Sequence, residues 1–424
     1  MLRIRKSLLV LLLVSLLAIF SFGDALKFLP QNYSMLVYVP DLPKLYDSFK
    51  ALPIGQTLLL DTGVGLESLV NGVLEQQLLS MKYTMSDFDL FTKEMLIATD
   101  SNGNVSVVLG PVKSTTKVKN VLQSLLAEDT MKQVQFVENY FIFSNTKVGG
   151  GKTPAALQAN LKGNLGVTYT NISDGKIAFE GYGYLRVENN ALTFYEKIDA
   201  KTNDAKTALK SLQNAKPIDI LSDKNVGGDV LVFVNRDIPD ALQKATIGAI
   251  LSALNITDVN ASGKMYTSMD IGSAITDLMN TGTQSTTGSS SNKSTSANAN
   301  TQQTIPSISS YSVVFGSGLK MPTEVKKYVT IGGERYGVLD TGNGITSYIL
   351  IKSDRMITYT VDPSKYKAGD KAFFTSNYNS KYFAGILFNF EPLIYNLVGK
   401  KVKSSATFFG SVEGDSIIMR GSVK

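Results

Sequence analysis

The tripeptide Asp-Thr-Gly occurs twice in the chain, at Asp61-Thr62-Gly63 and at Asp340-Thr341-Gly342. Aspartic proteases of the pepsin kind pair the carboxylates of two such motifs, and the two carboxylates share one proton. That class has Ser or Thr directly after the motif, whereas this chain has Val64 and Asn343. We therefore interpret Asp61 as a helix N-terminus and Asp340 as part of a hairpin turn. Both aspartates remain the candidates of a weaker hypothesis, an Asp/Glu-dependent hydrolase.

Two other stretches resemble catalytic motifs only in part. Residues 149–153 (Gly-Gly-Gly-Lys-Thr) end like a phosphate-binding loop, but Thr146 stands where that pattern needs its first Gly. We expect a loop there that leads into a helix at Pro154. Residues 114–117 match the Ser-x-x-Lys of penicillin-binding proteins, but the chain has no Lys-Thr-Gly or Ser-Asp-Asn partner for it. We expect Ser114 to cap a helix instead.

The composition excludes several classes of chemistry. The chain of 424 residues contains no His, no Cys and no Trp. A Ser–His–Asp or Cys–His nucleophile system, a thiolate or imidazole zinc site, a Cys-held iron–sulfur cluster and His- or Cys-ligated haem are therefore excluded. We accordingly assign no catalytic, cofactor-binding or metal-ligating residue, and we expect no cofactor. The formal charge is +6, with basic residues scattered among acids, so we do not expect nucleic acid as a partner.

The N-terminus has the three regions of a secretory signal peptide. Three basic residues among the first six precede an apolar run over residues 8–22, and small residues offer cleavage after Gly23 or after Ala25. We therefore predict a signal peptide over residues 1–25 and an exported protein, either periplasmic or extracellular. The alternative is that this segment stays uncleaved and tethers the chain to a membrane.

Three stretches of the first half match three stretches of the second half in the same order. The first is a strand that leads into a helix at Asp-x-Pro, the second a strand, a Gly turn and an amphipathic helix, and the third a hairpin. The matching pairs are residues 36–46 with 231–242, 106–122 with 312–329, and 185–195 with 412–423. We infer an internal duplication. It makes Asp61 and Asp340 non-equivalent, because Asp61 precedes the second stretch and Asp340 follows it.

The remaining patterns predict the fold class and the domains. Helical spacing covers residues 58–79 and 202–213, while residues 335–361 alternate like a meander of three strands. We predict an α+β fold of two similar halves, with mostly antiparallel curved sheets and helices on one face. The halves are residues 26–215 and 226–424. The second contains residues 281–304, more than half of them Ser or Thr, which we expect to form a disordered loop.

The chain resembles a family of exported bacterial proteins of unknown function. The residues that carry this resemblance are Leu29-Pro30, the strand that follows, and the Asp41-Leu42-Pro43 start of the next helix, followed by repeated strand–helix units and hairpins. The resemblance covers residues 26–424 and implies export and two similar halves. It supplies no catalytic residues.

These observations favour a non-enzymatic envelope protein that acts by binding or scaffolding, with an unidentified envelope protein as its partner. The alternative is a carrier of lipid or another apolar ligand. Aromatic stretches at residues 140–143 and 383–390 would line the pocket of such a carrier, although aromatic residues of this kind usually pack in a core.

Overall fold

The computed structural model describes residues 25–84, 93–100, 104–126, 128–145, 147–239, 242, 261–272, 308–340 and 346–424. All but the last residue of the predicted signal peptide, and the whole of the Ser/Thr-rich stretch 281–304, lie outside these ranges. Among the residues so described, no helix has the length and apolar character needed to cross a membrane.

The predicted α+β class is confirmed, because helices and strands are mixed and the strands pair in antiparallel fashion. The strands are β1 (Tyr33–Val39), β2 (Glu94–Asp100), β3 (Val105–Gly110), β4 (Val134–Val137), β5 (Tyr140–Ser144), β6 (Gly166–Asp174), β7 (Ile177–Glu188), β8 (Ala191–Ala200), β9 (Val230–Val234), β10 (Ala261–Asp270), β11 (Ser309–Gly316), β12 (Lys327–Ile331), β13 (Glu334–Asp340), β14 (Thr346–Ile351), β15 (Arg355–Tyr359), β16 (Ala384–Asn389), β17 (Ser405–Glu413) and β18 (Ser416–Val423).

The helices lie between these strands along the chain. They are α1 (Leu42–Lys50), α2 (Pro53–Leu59), α3 (Leu66–Ser80), α4 (Thr115–Leu125), α5 (Glu128–Met131), α6 (Leu157–Leu161), α7 (Asn203–Asn214), α8 (Ala372–Asn377) and α9 (Glu391–Val398). Two 3-10 turns, Ala25–Phe28 and Ile220–Ser222, complete the described elements.

The chain forms two compact units. The first unit contains the described residues as far as Asn214, Pro239 and Leu242, and Phe408–Lys424. Its strands pair in the order β4–β5–β3–β2–β1–β6–β7–β8–β18. The second unit contains Ala215–Ile238 and the described residues between 261 and 407. Its strands pair in the order β16–β9–β10–β11–β15–β14–β13–β12.

The core of the first unit lies on both faces of its sheet, because alternate side chains of a strand point to opposite faces. On one face, Val39 and Leu109 pack with residues of α1, α3 and α4. On the other face, Leu36 and Val108 pack with the 3-10 turn Ala25–Phe28 and with α6. The sheet is therefore covered on both sides where β1 and β3 run.

Local sequence signals placed several elements correctly. The Asp41 carboxylate accepts the Lys44 N–H at 3.1 Å and caps α1, and the Ser114 hydroxyl accepts the Lys117 N–H at 3.3 Å and caps α4. Helix α7 buries one face that consists of Ala205, Ala208, Leu209 and Leu212, as its spacing predicted.

The predicted hairpins and the meander are also confirmed. Asn189 and Asn190 join β7 to β8 with φ angles of 51° and 58°, which a two-residue type I′ turn requires. Gly414, with a φ of 61°, lies in the turn between β17 and β18. The meander predicted over residues 335–361 is formed by β13, β14 and β15, which pair in sequence.

Two predicted helical stretches were wrong in part or in whole. Residues 58–79 do not form one helix, because the chain is extended at Leu60 and turns through Gly65 at a φ of 70° before α3 begins. Asp61 lies in that connection, and Gly65 rather than Asp61 is the residue before the helix. Residues 325–329, predicted as an amphipathic helix, enter β12 instead, because Tyr, Val, Thr and Ile favour an extended chain that pairs with β13.

Candidate functional site

The two Asp-Thr-Gly aspartates lie in different units of the chain. Asp61 is exposed in the connection between α2 and α3 of the first unit. Asp340 is the exposed last residue of β13 in the second unit. Each is therefore an exposed surface carboxylate of its own unit.

The glycine-rich loop has a structural role in the first unit. Gly149 and Gly150 have φ angles of 90° and 85°, a region that favours glycine. The Gly149 N–H donates to the Phe28 carbonyl at 3.2 Å, and the Gly151 N–H donates to the Leu29 carbonyl at 2.9 Å. The loop is thus bound along the segment that follows the predicted signal peptide. It leads into α6, which begins at Leu157 and not at Pro154 as predicted.

This loop forms one wall of a cleft in the first unit with a volume of about 910 Å³. The cleft is lined by three lysines, three carboxamides and apolar side chains. The lining residues are Lys27, Phe28, Lys132, Gln133, Gln135, Val137, Ser144, Asn145, Lys147, Val148 and Gly149. A cleft of this size is in the range that holds small organic ligands.

One side of the cleft is formed by strand β4 and the residue before it, because alternate side chains of this stretch face the cleft. Gln133, Gln135 and Val137 are exposed, while Val134 and Phe136 between them pack against the core. The strand follows α5 directly and pairs with β5, so its register fixes these side chains relative to Asn145 at the end of β5.

The three lysines of the cleft differ in whether an acidic side chain neutralises their charge. Lys27 forms an ion pair with Glu138 and lies 5.1 Å and 5.5 Å from the ring centroids of Phe28 and Tyr140. Lys132 lies 3.7 Å from Glu128 in an exposed pair, which is weak because solvent screens it. Lys147 has no acidic partner in the described part of the chain. Lys147 is therefore the cation best placed to receive an anionic group.

The cleft suits binding better than covalent chemistry. Its one hydroxyl, on Ser144, is buried and lies 2.7 Å from the Ser106 hydroxyl. Lysine ammonium groups and carboxamides together bind carboxylate or phosphate oxygens through charge-assisted hydrogen bonds. Phe28, Val137 and Val148 would contact an apolar part of the same ligand. Within the described ranges, no three acidic residues group closely enough to hold a metal ion.

No family model, no curated protein and no solved structure matches the chain. The resemblance to exported bacterial proteins therefore stays a prediction, and the site must be judged from its own geometry.

The second unit contains a buried cluster of tyrosines that the sequence analysis missed. The Asp223 carboxylate accepts hydrogen bonds from the hydroxyls of Tyr266 at 2.6 Å and Tyr311 at 2.7 Å. Burial, followed by the hydrogen bond to Asp223, raises the pKa of both phenols well above the usual range. Burial also raises the pKa of Tyr359, whose ring is 5.0 Å from that of Tyr311, to about 12. Tyr266 and Tyr311 are fixed as hydrogen-bond donors to Asp223, so we interpret the cluster as structural.

Two buried carboxyl groups were missed as well. Burial raises the pKa of Asp229, and neighbouring Asp270 raises it further, while the Gly272 N–H that donates to it at 2.7 Å lowers it. Burial also raises the pKa of Glu196 on β8, against the effect of the Thr170 hydroxyl at 2.7 Å. Asp229 is only 5% exposed, so we interpret it as an acceptor for the backbone rather than a catalytic acid.

Proposed function

We propose that this is an exported, non-enzymatic protein of the cell envelope whose first unit binds an anionic ligand with a small apolar part. The observation that carries the proposal is the convergence of three lysines and three carboxamides with Phe28, Val137 and Val148 on one cleft. Export is supported by the signal-peptide pattern of residues 1–25 alone.

The cleft leads us to expect modest affinity. Exposed ion pairs contribute about 0.2–1 kcal/mol each, so a ligand held by the lysines and a few apolar contacts should have a dissociation constant of about 1 mM, which corresponds to about −4 kcal/mol. Salt should weaken it, because charges at a surface are screened within about 8–10 Å at physiological ionic strength.

Octyl phosphate tests this proposal, since it combines a phosphate with a short apolar chain. We expect saturable binding by titration calorimetry, and a loss of about threefold or more in affinity for Lys147→Gln. The matched control is Lys176→Gln, which removes an exposed lysine from the turn between β6 and β7 and should leave affinity unchanged. Octyl glucoside is the neutral probe and should bind less tightly.

Equal binding of octyl phosphate by the Lys147→Gln variant would contradict the role of the cleft. Equal affinity for octyl glucoside would instead favour the alternative, a carrier of apolar ligands. That alternative has little support from the aromatic stretch 140–143, because Tyr140, Phe141 and Ile142 are buried in the two core clusters.

We also propose that the two halves of the chain arose by duplication and that each bends into a curved sheet. What supports this is the order of strand pairing. Strand β1 pairs with β2 and β6, β2 pairs with β3, and β3 pairs with β5. Likewise β9 pairs with β10 and β16, β10 pairs with β11, and β11 pairs with β15. In this proposal, helices cover mainly one face of the sheet in each half. In the first half these helices are α1, α3 and α4, while α6 packs on the other face and is an exception.

A further inference from the structure

The segment directly after the predicted signal peptide is part of the core. Ala25 and Leu29 are completely buried and Phe28 is 6% exposed. These three residues pack with Leu36 of β1 and Leu96 of β2. The 3-10 turn Ala25–Phe28 is therefore an integral part of the first unit.

A buried carboxylate holds the start of this segment. The Ala25 backbone N–H donates to Oε2 of Glu94 at 2.7 Å, and Glu94 is only 1% exposed. A buried acceptor that loses its donor destabilises the fold. Glu94 is the first residue of β2 and lies opposite Gly110 of β3, so the sheet fixes its position.

This contact distinguishes the two cleavage positions that the sequence allows. A cut after Ala25 would remove its buried methyl group and the N–H that Glu94 accepts. A cut after Gly23 would leave Asp24 in front of Ala25, so that both the methyl group and the peptide N–H stay in place. Small residues at Ser21 and Gly23 fit the requirements of signal peptidase for this second position.

We propose that the chain is processed between Gly23 and Asp24, and that Glu94 then accepts the Ala25 N–H and so holds the 3-10 turn Ala25–Phe28 in the core. The step is hydrolysis of the peptide bond between Gly23 and Asp24 by a signal peptidase. The C–N bond breaks, and water supplies the OH of the new Gly23 carboxyl group and the hydrogen of the new Asp24 amine. Lys27 and Phe28 line the cleft and belong to the same 3-10 turn as Ala25. Processing at this position therefore also keeps these two residues in place. The inference rests on the export part of the proposed function and not on ligand binding.

The first test is the mass and N-terminal sequence of the chain purified from the exported fraction of a bacterial host that expresses residues 1–424. We expect the mature chain to begin at Asp24. A chain that begins at Leu26, or one that keeps Met1, overturns the inference while leaving export intact. Absence of the chain from the exported fraction overturns the inference and the export proposal together. Octyl phosphate binding, measured on the same sample, reports on the cleft separately.

A second test does not depend on the host. Chains that begin at Asp24 or at Leu26 can be released from an N-terminal fusion so that no extra residue remains. We expect the Leu26 chain to have a Tm lower by about 3 °C or more, because it lacks the Ala25 contacts. Glu94→Ala should lower the Tm of the Asp24 chain more than that of the Leu26 chain. Equal Tm values for the two unsubstituted chains would overturn the inference.

Discussion

At the scale of single residues, Glu196 shows how a buried carboxyl group makes stability depend on pH. Its side chain is 4% exposed, and burial raises its pKa in the folded state. A raised pKa means that the folded chain binds this proton more tightly than the unfolded chain does. The contribution of Glu196 to stability is therefore complete below its ordinary pKa and is lost as the pH rises through the folded-state pKa.

We expect Glu196→Gln to become more stabilising, relative to the unsubstituted chain, as the pH rises. Gln keeps an oxygen that can accept from Thr170 and carries no charge to bury. The free energy of unfolding can be measured by denaturant titration for both chains. The difference between the variant and the unsubstituted chain should shift in favour of the variant by at least about 1 kcal/mol from pH 4 to pH 8. Glu75→Gln, at an exposed position of α3, is the control and should show no such trend. A difference that is the same at both pH values would contradict this explanation.

At the scale of elements, two glycines should respond to alanine in opposite directions. Gly183 lies in the middle of β7, where a Cβ would be 2.3 Å from the Tyr195 carbonyl oxygen and 2.4 Å from the Thr168 hydroxyl. Gly72 lies in α3 with nothing within 4 Å of a Cβ. A methyl group added at Gly183 would therefore clash with neighbouring strands, whereas one added at Gly72 would contact nothing.

We expect Gly183→Ala to destabilise the protein by about 1–3 kcal/mol, because the backbone of β8 cannot move away without breaking its pairing. Gly72→Ala should stabilise it by about 0.5–1 kcal/mol, since alanine favours a helix interior. Both values can be measured by denaturant titration. Stabilisation by Gly183→Ala would show that β7 and β8 do not approach as closely as described.

The element scale also shows how far local sequence signals reach. The caps at Asp41 and Ser114, the apolar face of α7 and the Asn189-Asn190 turn depend on neighbours within a few residues, and all were predicted correctly. The helix expected over residues 325–329 was wrong because its apolar spacing is ambiguous over five residues. Pairing with β13, which lies beyond a turn, decided that conformation.

At the scale of the whole molecule, the C-terminal strand belongs to the sheet of the first unit. β18 pairs with β8 from Ser416 opposite Asp199 to Val423 opposite Leu192. The Ser416 hydroxyl also donates to the Asp199 carboxylate at 2.7 Å, and Lys206 of α7 forms an ion pair with Asp415 at 2.8 Å. The last residues of the chain thus cover an edge that the first two hundred residues leave open.

We therefore expect a chain that ends at residue 404 to be less stable and prone to self-association, because β8 would expose an unpaired edge. Its Tm should fall relative to the full chain, and size-exclusion chromatography should show larger species. Addition of a peptide of residues 405–424 should partly restore the Tm. Deletion of Lys424 alone is the control, since this residue lies after β18. An unchanged Tm for the chain that ends at residue 404 would show that β18 does not stabilise the first unit.

The sequence by itself determined those features of this protein that depend on short-range chemistry. The absence of His, Cys and Trp excluded whole classes of active site, and periodicity with caps and turns predicted the α+β class and its hairpins. Only the tertiary structure decided which side chains meet. Strand pairing brings β4 beside the loop at Gly149, places Thr170 near Glu196, and buries Glu94 against the N–H of Ala25. The Thr170–Glu196 and Ala25–Glu94 contacts join residues that are 26 and 69 positions apart in the chain, and no local pattern specifies them.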